Sequence, residues 1–323
     1  MKAIVVEGRT LAWRDVPDVV PARGELVIRN FATAINRADL VQRSGGYPPP
    51  PGASPVLGLE CAGEVVAVGE GVSRYRVGDR VCALLAGGGY AERVNVPAGQ
   101  VLPIPKGLSY EEAAALPEVF ATAWLNLFME AKLARGERVL LHAGASGVGT
   151  AAIQLCRANH NPCWVTAGSA AKIERCRALG ASDGADRHSR PFAECVAAWT
   201  EGAGLDVILD PVGAAYLADN LASLRTDGRL VIIGLMGGAT AELPLALMMM
   251  KRLRIIGSTL RSRSIAAKSA VMDELASEVW PLIEAGAVRP IVEAVIPIAE
   301  ADRAHALVAS NETFGKVVLS IPG

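Results

Sequence analysis

Val139–Leu155 reads VLLHAGASGVGTAAIQL. A short apolar run ends in a glycine-rich turn, which opens into an apolar segment with helical character (Ala151, Ala152, Ile153, Leu155). Strand, tight turn and helix N-terminus together grip a dinucleotide pyrophosphate. The first-turn N–H groups and the positive end of the helix dipole face the phosphate, and the missing side chains let it approach the backbone. Against the pattern G-x-G-x-x-G, the positions are Gly144, Ser146 and Gly149, with Gly147 added between. Ser146 stands where the second glycine permits the closest approach. Such a turn also arises for steric reasons alone, so the context decides. Strand and helix patterns alternate for more than a hundred residues after it, and because the unit starts only near residue 139, a separate module precedes it.

Outward from this turn the chain shows two rhythms. From Gly136, strands are expected at Arg138–His142, Cys163–Ala167, Gly184–Asp186, Asp206–Asp210, Arg229–Ile233 and Leu253–Ser258. Helices are expected at Gly147–Ala158, Ala170–Leu179, Pro191–Thr200, Tyr216–Ser223 and Leu245–Lys251. This alternation predicts an α/β fold with a doubly wound parallel sheet. Up to about Pro117 the chain instead carries short β patterns without helices between them: Leu26–Asn30, Gly63–Val68, Asp79–Leu84 and Tyr90–Val96. They predict a small barrel-like domain, interrupted by the proline-rich loop GGYPPPPGASP (Gly45–Pro55). A long helix from Ser264 to about Ala285, a β run Ile291–Pro297, a helix Ala299–Ala309 and a strand Lys316–Ile321 form the tail.

The 323 residues suffice for two domains, and 51% hydrophobic with 20% charged residues suits a compact soluble protein. A formal net charge of −1 gives no attraction for nucleic acid or an anionic membrane. No apolar run approaches the ~20 residues that span a bilayer, and charges in MKAIVVEGRTLAWRD occupy the place of a signal-peptide core. A cytoplasmic location is expected. Six cysteines (Cys61, Cys82, Cys156, Cys163, Cys176, Cys195) and four histidines (His142, His160, His188, His305) are scattered, without the close spacing of a metal cluster.

The stretches INRADLVQRSGGYPPPPG (Ile35–Gly52), LGLECAGEVVAVG (Leu57–Gly69), VGDRVCALLAGGGYAE (Val77–Glu92), HAGASGVGTAAIQL (His142–Leu155), VTAGSAAK (Val165–Lys172) and GLMGG (Gly234–Gly238) occur in one order. With them the whole chain resembles the quinone oxidoreductase, zeta-crystallin-like branch of the zinc-independent medium-chain dehydrogenase/reductase superfamily. The resemblance implies a GroES-like catalytic domain of residues 1–118 and 264–323, to which the tail returns, and a Rossmann domain of residues 119–263. It places the active site in the cleft between them. It further implies a homodimer paired through Leu253–Ser258, with the Met248–Met250 run as core or interface filling.

Alcohol dehydrogenases of this superfamily hold a catalytic zinc through a Cys and a His. The corresponding positions here are Asn36 and Leu59, which do not replace thiolate and imidazole. The four-cysteine structural lobe expected near residues 85–100 is missing as well, so no metal site is assigned and Cys61 and Cys82 read as core residues. At the end of the second Rossmann strand, where NAD-selective units place a carboxylate, the chain has Gly168 and Ser169 followed by Lys172. A hydroxyl and an ammonium there can receive a 2′-phosphate, so the expected cofactor is NADPH. Arg187 stands where the family often adds a Tyr contact, and either replaces it or points to solvent.

The resemblance also assigns Gly144, Ser146, Gly147 and Val148 to phosphate and ribose, and Gly234, Leu235 and Met236 to the nicotinamide end. Thr122 reads either as a nicotinamide contact or as a helix cap, and Lys316 as a pyrophosphate contact or an exposed strand residue. Asn36 and Tyr47 are the candidates for shaping the acceptor pocket, with Asp39 and Glu60 in structural roles. The expected reaction is zinc-independent hydride transfer from NADPH to a quinone. Two alternatives stay open: an enone or enoyl-thioester reductase, for which Tyr47 would be the proton donor, and a catalytically idle cofactor-binding protein of crystallin or RNA-binding type.

Overall fold

The computed structural model describes residues 1–8 and 10–322. It forms two compact units, Met1–Ala121 with Leu260–Gly323, and Thr122–Thr259. The chain opens with an antiparallel pair, β1 (Lys2–Glu7) and β2 (Thr10–Asp15), which the sequence pattern did not reveal. β3 (Glu25–Ala34) follows, then α1 (Arg37–Arg43), β4 (Glu60–Val68), β5 (Arg80–Leu84), β6 (Arg93–Pro97) and β7 (Val101–Pro103). Alternate residues of these strands (Leu26, Ile28, Val65, Val81, Ala83, Val94, Val96) fill a common core, which is the period of two that a half-buried strand requires. β4 pairs with β3 so closely at Gly63 that a Cβ there would collide with the Arg29 carbonyl oxygen. The expectation of strands without helices between them is corrected by α1, while α2 (Tyr110–Ala114) and α3 (Pro117–Trp124) follow the last strand, β7. At seven and five residues, α1 and α2 are too short to show helical periodicity; capping boxes at Asn36/Asp39 and Ser109/Glu112 start them.

The second unit runs β8 (Val139–Leu141), α4 (Gly147–Ala158), β9 (Cys163–Ala167), α5 (Ala170–Leu179), β10 (Asp183–Asp186), α6 (Phe192–Trp199), β11 (Leu205–Asp210), α7 (Leu217–Ser223), β12 (Leu224–Ile232), α8 (Leu245–Met250) and β13 (Arg254–Gly257). Its six strands are all parallel, in the order β10-β9-β8-β11-β12-β13. Counted from β8 this is 3-2-1-4-5-6, the Rossmann order, with the topological switch between β8 and β11. β8, β9 and β11 are buried along their whole length, which explains their largely apolar sequences; Thr166, Asp206 and Asp210 are the buried polar exceptions.

The tail adds α9 (Ile265–Glu274), α10 (Trp280–Glu284), β14 (Val292–Pro297), α11 (Ala301–Ala309) and β15 (Lys316–Ser320). The expected long helix from 264 to about 285 is present as one continuous helical run, in which α9 and α10 are joined by a wider π-helical turn, Leu275–Val279, just before Pro281. β15 pairs antiparallel with β3, and β14 parallel with β15, so the tail completes the sheet β14-β15-β3-β4-β5-β7 of the first unit. The fold is thus a GroES-like domain, closed by the C-terminal tail, and a Rossmann domain inserted within it.

Candidate active site

In the Rossmann unit the glycine turn is held by contacts that only glycine permits. A Cβ on Gly144 would sit 2.6 Å from Val165 Cβ, and one on Gly149 2.5 Å from the carbonyl oxygens of Ala143 and Gly144. Ser146 caps α4, its Oγ accepting from the Gly149 N–H at 3.0 Å. Gly147 and Val148 therefore supply the first-turn amides, which have no partner within a helix. Behind the turn lies a buried chain that the sequence did not single out. His142 Nδ1 meets Thr166 Oγ1 at 3.0 Å, its Nε2 meets Asn220 Oδ1 at 2.7 Å, and Asn220 Nδ2 donates to Asp210 Oδ2 at 3.0 Å. Burial pushes the His142 imidazole down to about 4, so it is neutral near pH 7 and serves as an uncharged strut.

At the carboxyl end of β9, Ser169 caps α5 by accepting from the Lys172 N–H at 3.3 Å. Arg187 comes from the end of β10 and lies against Gly168, where an added Cβ would be 3.4 Å from its Nη2. Its Nε is 3.0 Å from His188 Nε2 and the side chain remains exposed. Gly168, Ser169 and Arg187 thus meet at one strand end. The loop after β12 is fastened to the end of β11 by the Met236 N–H to Pro211 O (3.2 Å) and the Gly237 N–H to Val212 O (2.7 Å). Gly234 packs on Pro211, while Leu235 and Met236 are 56% and 55% exposed. Thr122 lies inside α3, which begins at Pro117, so the capping reading of Thr122 is corrected; its carbonyl accepts from Asn126 Nδ2 at 2.7 Å.

In the GroES-like unit the polar residues form one buried hub. Asn36 sits at the start of α1, with its N–H donating to Asp39 Oδ2 at 2.7 Å and its Nδ2 to Glu60 Oε1 at 2.9 Å. Lys316, at the start of β15, gives its three ammonium hydrogens to Ile35 O (2.7 Å), Asn36 Oδ1 (2.7 Å) and Glu60 Oε1 (2.8 Å). At 4% exposure Lys316 is not the exposed strand residue expected, and it has no hydrogen to spare for a pyrophosphate. The cause is Glu60, a carboxylate at 0% exposure that requires a cation. Asp39 accepts from Gly58 N at 3.0 Å and from Tyr90 Oη at 3.3 Å, and Tyr90 in turn contacts His305 Nε2 at 3.1 Å.

A zinc ion does not fit this hub. Leu59 is apolar and buried, the amide of Asn36 is taken by Glu60 and Lys316, and among the described residues no three His, Cys, Asp or Glu side chains converge.

Tyr47 belongs to a neighbouring cluster. The Arg261 guanidinium carbon lies 5.2 Å from its ring centroid, and Arg261 Nη1 donates to the Tyr47 carbonyl at 3.2 Å. Glu118 links this cluster to the hub: its N–H donates to Glu60 Oε2 at 2.9 Å, and its carboxylate acts on Tyr47, Arg261 and Lys268. Glu118, Arg261 and Lys268 carry no sequence motif; only the fold assembles them. Glu118 as a residue is partly covered, but its Oε2 is fully enclosed without a hydrogen-bond partner. Burial, aided by Glu60, pushes the Glu118 carboxyl up to about 8. A carboxyl raised from 4.5 to about 8 stabilises the fold fully below pH 4.5, and that contribution is lost as pH rises to about 8. Glu118→Gln should remove this dependence. In urea titrations from pH 5 to 8.5, the wild-type midpoint should fall relative to the variant; parallel curves would show that Glu118 is not protonated in the fold.

Residues 22–106 match the alcohol dehydrogenase GroES-like domain and residues 179–319 the zinc-binding dehydrogenase family. The chain is 35% identical over 97% of its length to a mycocerosic acid synthase-like polyketide synthase of Mycobacterium tuberculosis, of which it spans 15%. It is 32% identical over 94% of its length to the synaptic vesicle membrane protein VAT-1 homolog of Rattus norvegicus, of which it spans 78%. The structure of Escherichia coli quinone oxidoreductase complexed with NADPH superposes with a TM-score of 0.87 at 29% identity, covering 99% of this chain and 98% of that one. With both domain families matched in order and 32% identity to a relative of which it spans 78%, the chain belongs to the medium-chain dehydrogenase/reductase superfamily of oxidoreductases.

Proposed function

We propose that this protein reduces small quinones with NADPH, by direct hydride transfer and without zinc. The hub at Asn36, Glu60 and Lys316 carries the reading. At the positions corresponding to zinc ligands, an amide is locked to a carboxylate and an ammonium, so no Lewis acid polarises the acceptor. Quinones need less electrophilic help than ordinary carbonyls. The resemblance to a quinone oxidoreductase complexed with NADPH supports the same acceptor and cofactor.

When bound, NADPH supplies the hydride. Gly144, Ser146, Gly147 and Val148 would hold its pyrophosphate, and Ser169, Lys172 and Arg187 the 2′-phosphate. Gly234–Met236 and Thr122 would flank the nicotinamide, and Asn36 and Tyr47 would border the acceptor. The protein contributes chiefly proximity and orientation. Six buried cysteines without disulfides support a reducing compartment, the cytoplasm; among the described residues no helix is long and apolar enough to cross a membrane.

The test is oxidation of NADPH and NADH by chelator-treated protein with small quinones. Turnover that favours NADPH and survives chelation is expected; loss on chelation would overturn the zinc-free reading. Reduction of an enone or enoyl thioester is the second reading, favoured by two proton-bearing groups at one place, the Tyr47 hydroxyl and the Glu118 carboxyl. Tyr47→Phe should leave quinone turnover within a few-fold, whereas an enone reductase would lose most of its activity.

A homodimer through β13 is also proposed. This strand ends the sheet with an open edge, and Leu245, Met249 and Met250 of the preceding α8 are 67%, 74% and 77% exposed. Sedimentation should find a dimer that Met249→Asp with Met250→Asp converts to monomer; a wild-type monomer would refute the pairing.

A further inference from the structure

Two buried cations of the GroES-like unit lack anionic hydrogen-bond partners. Arg261 is 3% exposed: Nε donates to Ala86 O at 2.8 Å, Nη1 to Tyr47 O at 3.2 Å, and Nη2 is enclosed with no acceptor. Lys268, on the first turns of α9 and 5% exposed, donates to a single acceptor, the Arg261 carbonyl, at 3.3 Å. Among the described residues no carboxylate lies within ion-pair distance of either; Glu118 is the nearby acidic group, and its enclosed Oε2 bonds to neither. Isolated buried charges are expensive and are normally matched by an anion. Elsewhere in the same unit the rule is kept, since buried Lys316 meets Glu60 directly.

We propose that Arg261 and Lys268 bind a carboxylate carried by the acceptor, with the Tyr47 ring as the flat wall beside it. Naming the ligand as the acceptor rests on the reductase reading; the anion site itself does not. The free Nη2 hydrogens and the unused Lys268 hydrogens supply charge-assisted donors, and the guanidinium near the Tyr47 ring marks where a planar group would lie. Glu118 does not pair with them directly: its enclosed Oε2 has no hydrogen-bond partner, and burial raises its carboxyl to about 8.

The test compares 2-naphthoate with its neutral isostere 2-naphthamide, by calorimetry on the full chain without nucleotide. Naphthoate should bind about 10- to 100-fold more tightly, the worth of charge-assisted hydrogen bonds. Lys268→Met should abolish most of that preference while leaving naphthamide unchanged. Arg261→Lys, which keeps the charge but loses the fork, should give an intermediate value. Equal affinity for both ligands, no saturable binding of either, or a preference undiminished in Lys268→Met would each overturn the site. NADPH oxidation with a neutral naphthoquinone and with its carboxylate separates the two ideas. A naphthoate preference with no turnover of any acceptor would sink the reductase reading and keep the anion site; quinone turnover without a naphthoate preference would do the reverse.

Discussion

Lys316→Met should destabilise the GroES-like unit by about 3–5 kcal/mol, the cost of leaving a buried charge without its partner. Glu60 is fully buried and would keep only the Asn36 amide and the Glu118 N–H as donors. The same change frees the partly buried Asn36 amide oxygen and the buried Ile35 carbonyl, both acceptors of the ammonium. For a unit of this size the loss corresponds to a fall in Tm of roughly 10 °C. Adding Glu60→Gln removes the orphaned charge and should restore part of the stability. Thermal and urea unfolding of the single and double variants decide the matter. A single variant within 1 kcal/mol of wild type would mean that water reaches Glu60 and that the hub is not sealed.

Ser169→Asp should raise the KM for NADPH by roughly a hundredfold, or about 3 kcal/mol, while changing that for NADH by no more than a few-fold. Asp caps a helix as well as Ser does, so α5 should keep its start and the fold its stability. What changes is the charge at the end of β9, where Gly168 and Arg187 meet Ser169. A carboxylate there opposes a 2′-phosphate and can accept from a ribose hydroxyl, the arrangement of NAD-selective Rossmann units. Steady-state kinetics with both nucleotides read the outcome. An unchanged NADPH KM would show that the 2′-phosphate is held elsewhere.

These predictions depend on two kinds of information. The Rossmann unit was legible along the chain because a parallel sheet covered on both faces must be largely apolar, and its turn must be glycine-rich where the chain packs too closely for a side chain. Gly144 and Gly149 show why: local crowding of 2.5–2.6 Å forbids a side chain at either position. The missing carboxylate at Gly168 and Ser169 is equally local. The short helices α1 and α2 were hidden because one or two turns carry no period. The zinc ligands' absence was legible at Asn36 and Leu59, but the replacement was not.

That replacement is a matter of tertiary structure. Lys316 reaches Asn36 and Glu60 only because β15 returns 280 residues later to pair with β3. Likewise Arg261 and Lys268 meet Tyr47 and Glu118 through a fold that closes on itself, and burial, aided by Glu60, pushes the Glu118 carboxyl up to about 8. Sequence alone determined the fold class and the glycine-rich turn that opens α4, since both follow from backbone sterics and periodicity within a few turns of chain. Which charges are paired, which are stranded and which carboxyl holds a proton was decided by the tertiary structure, because desolvation and Coulomb forces act through space.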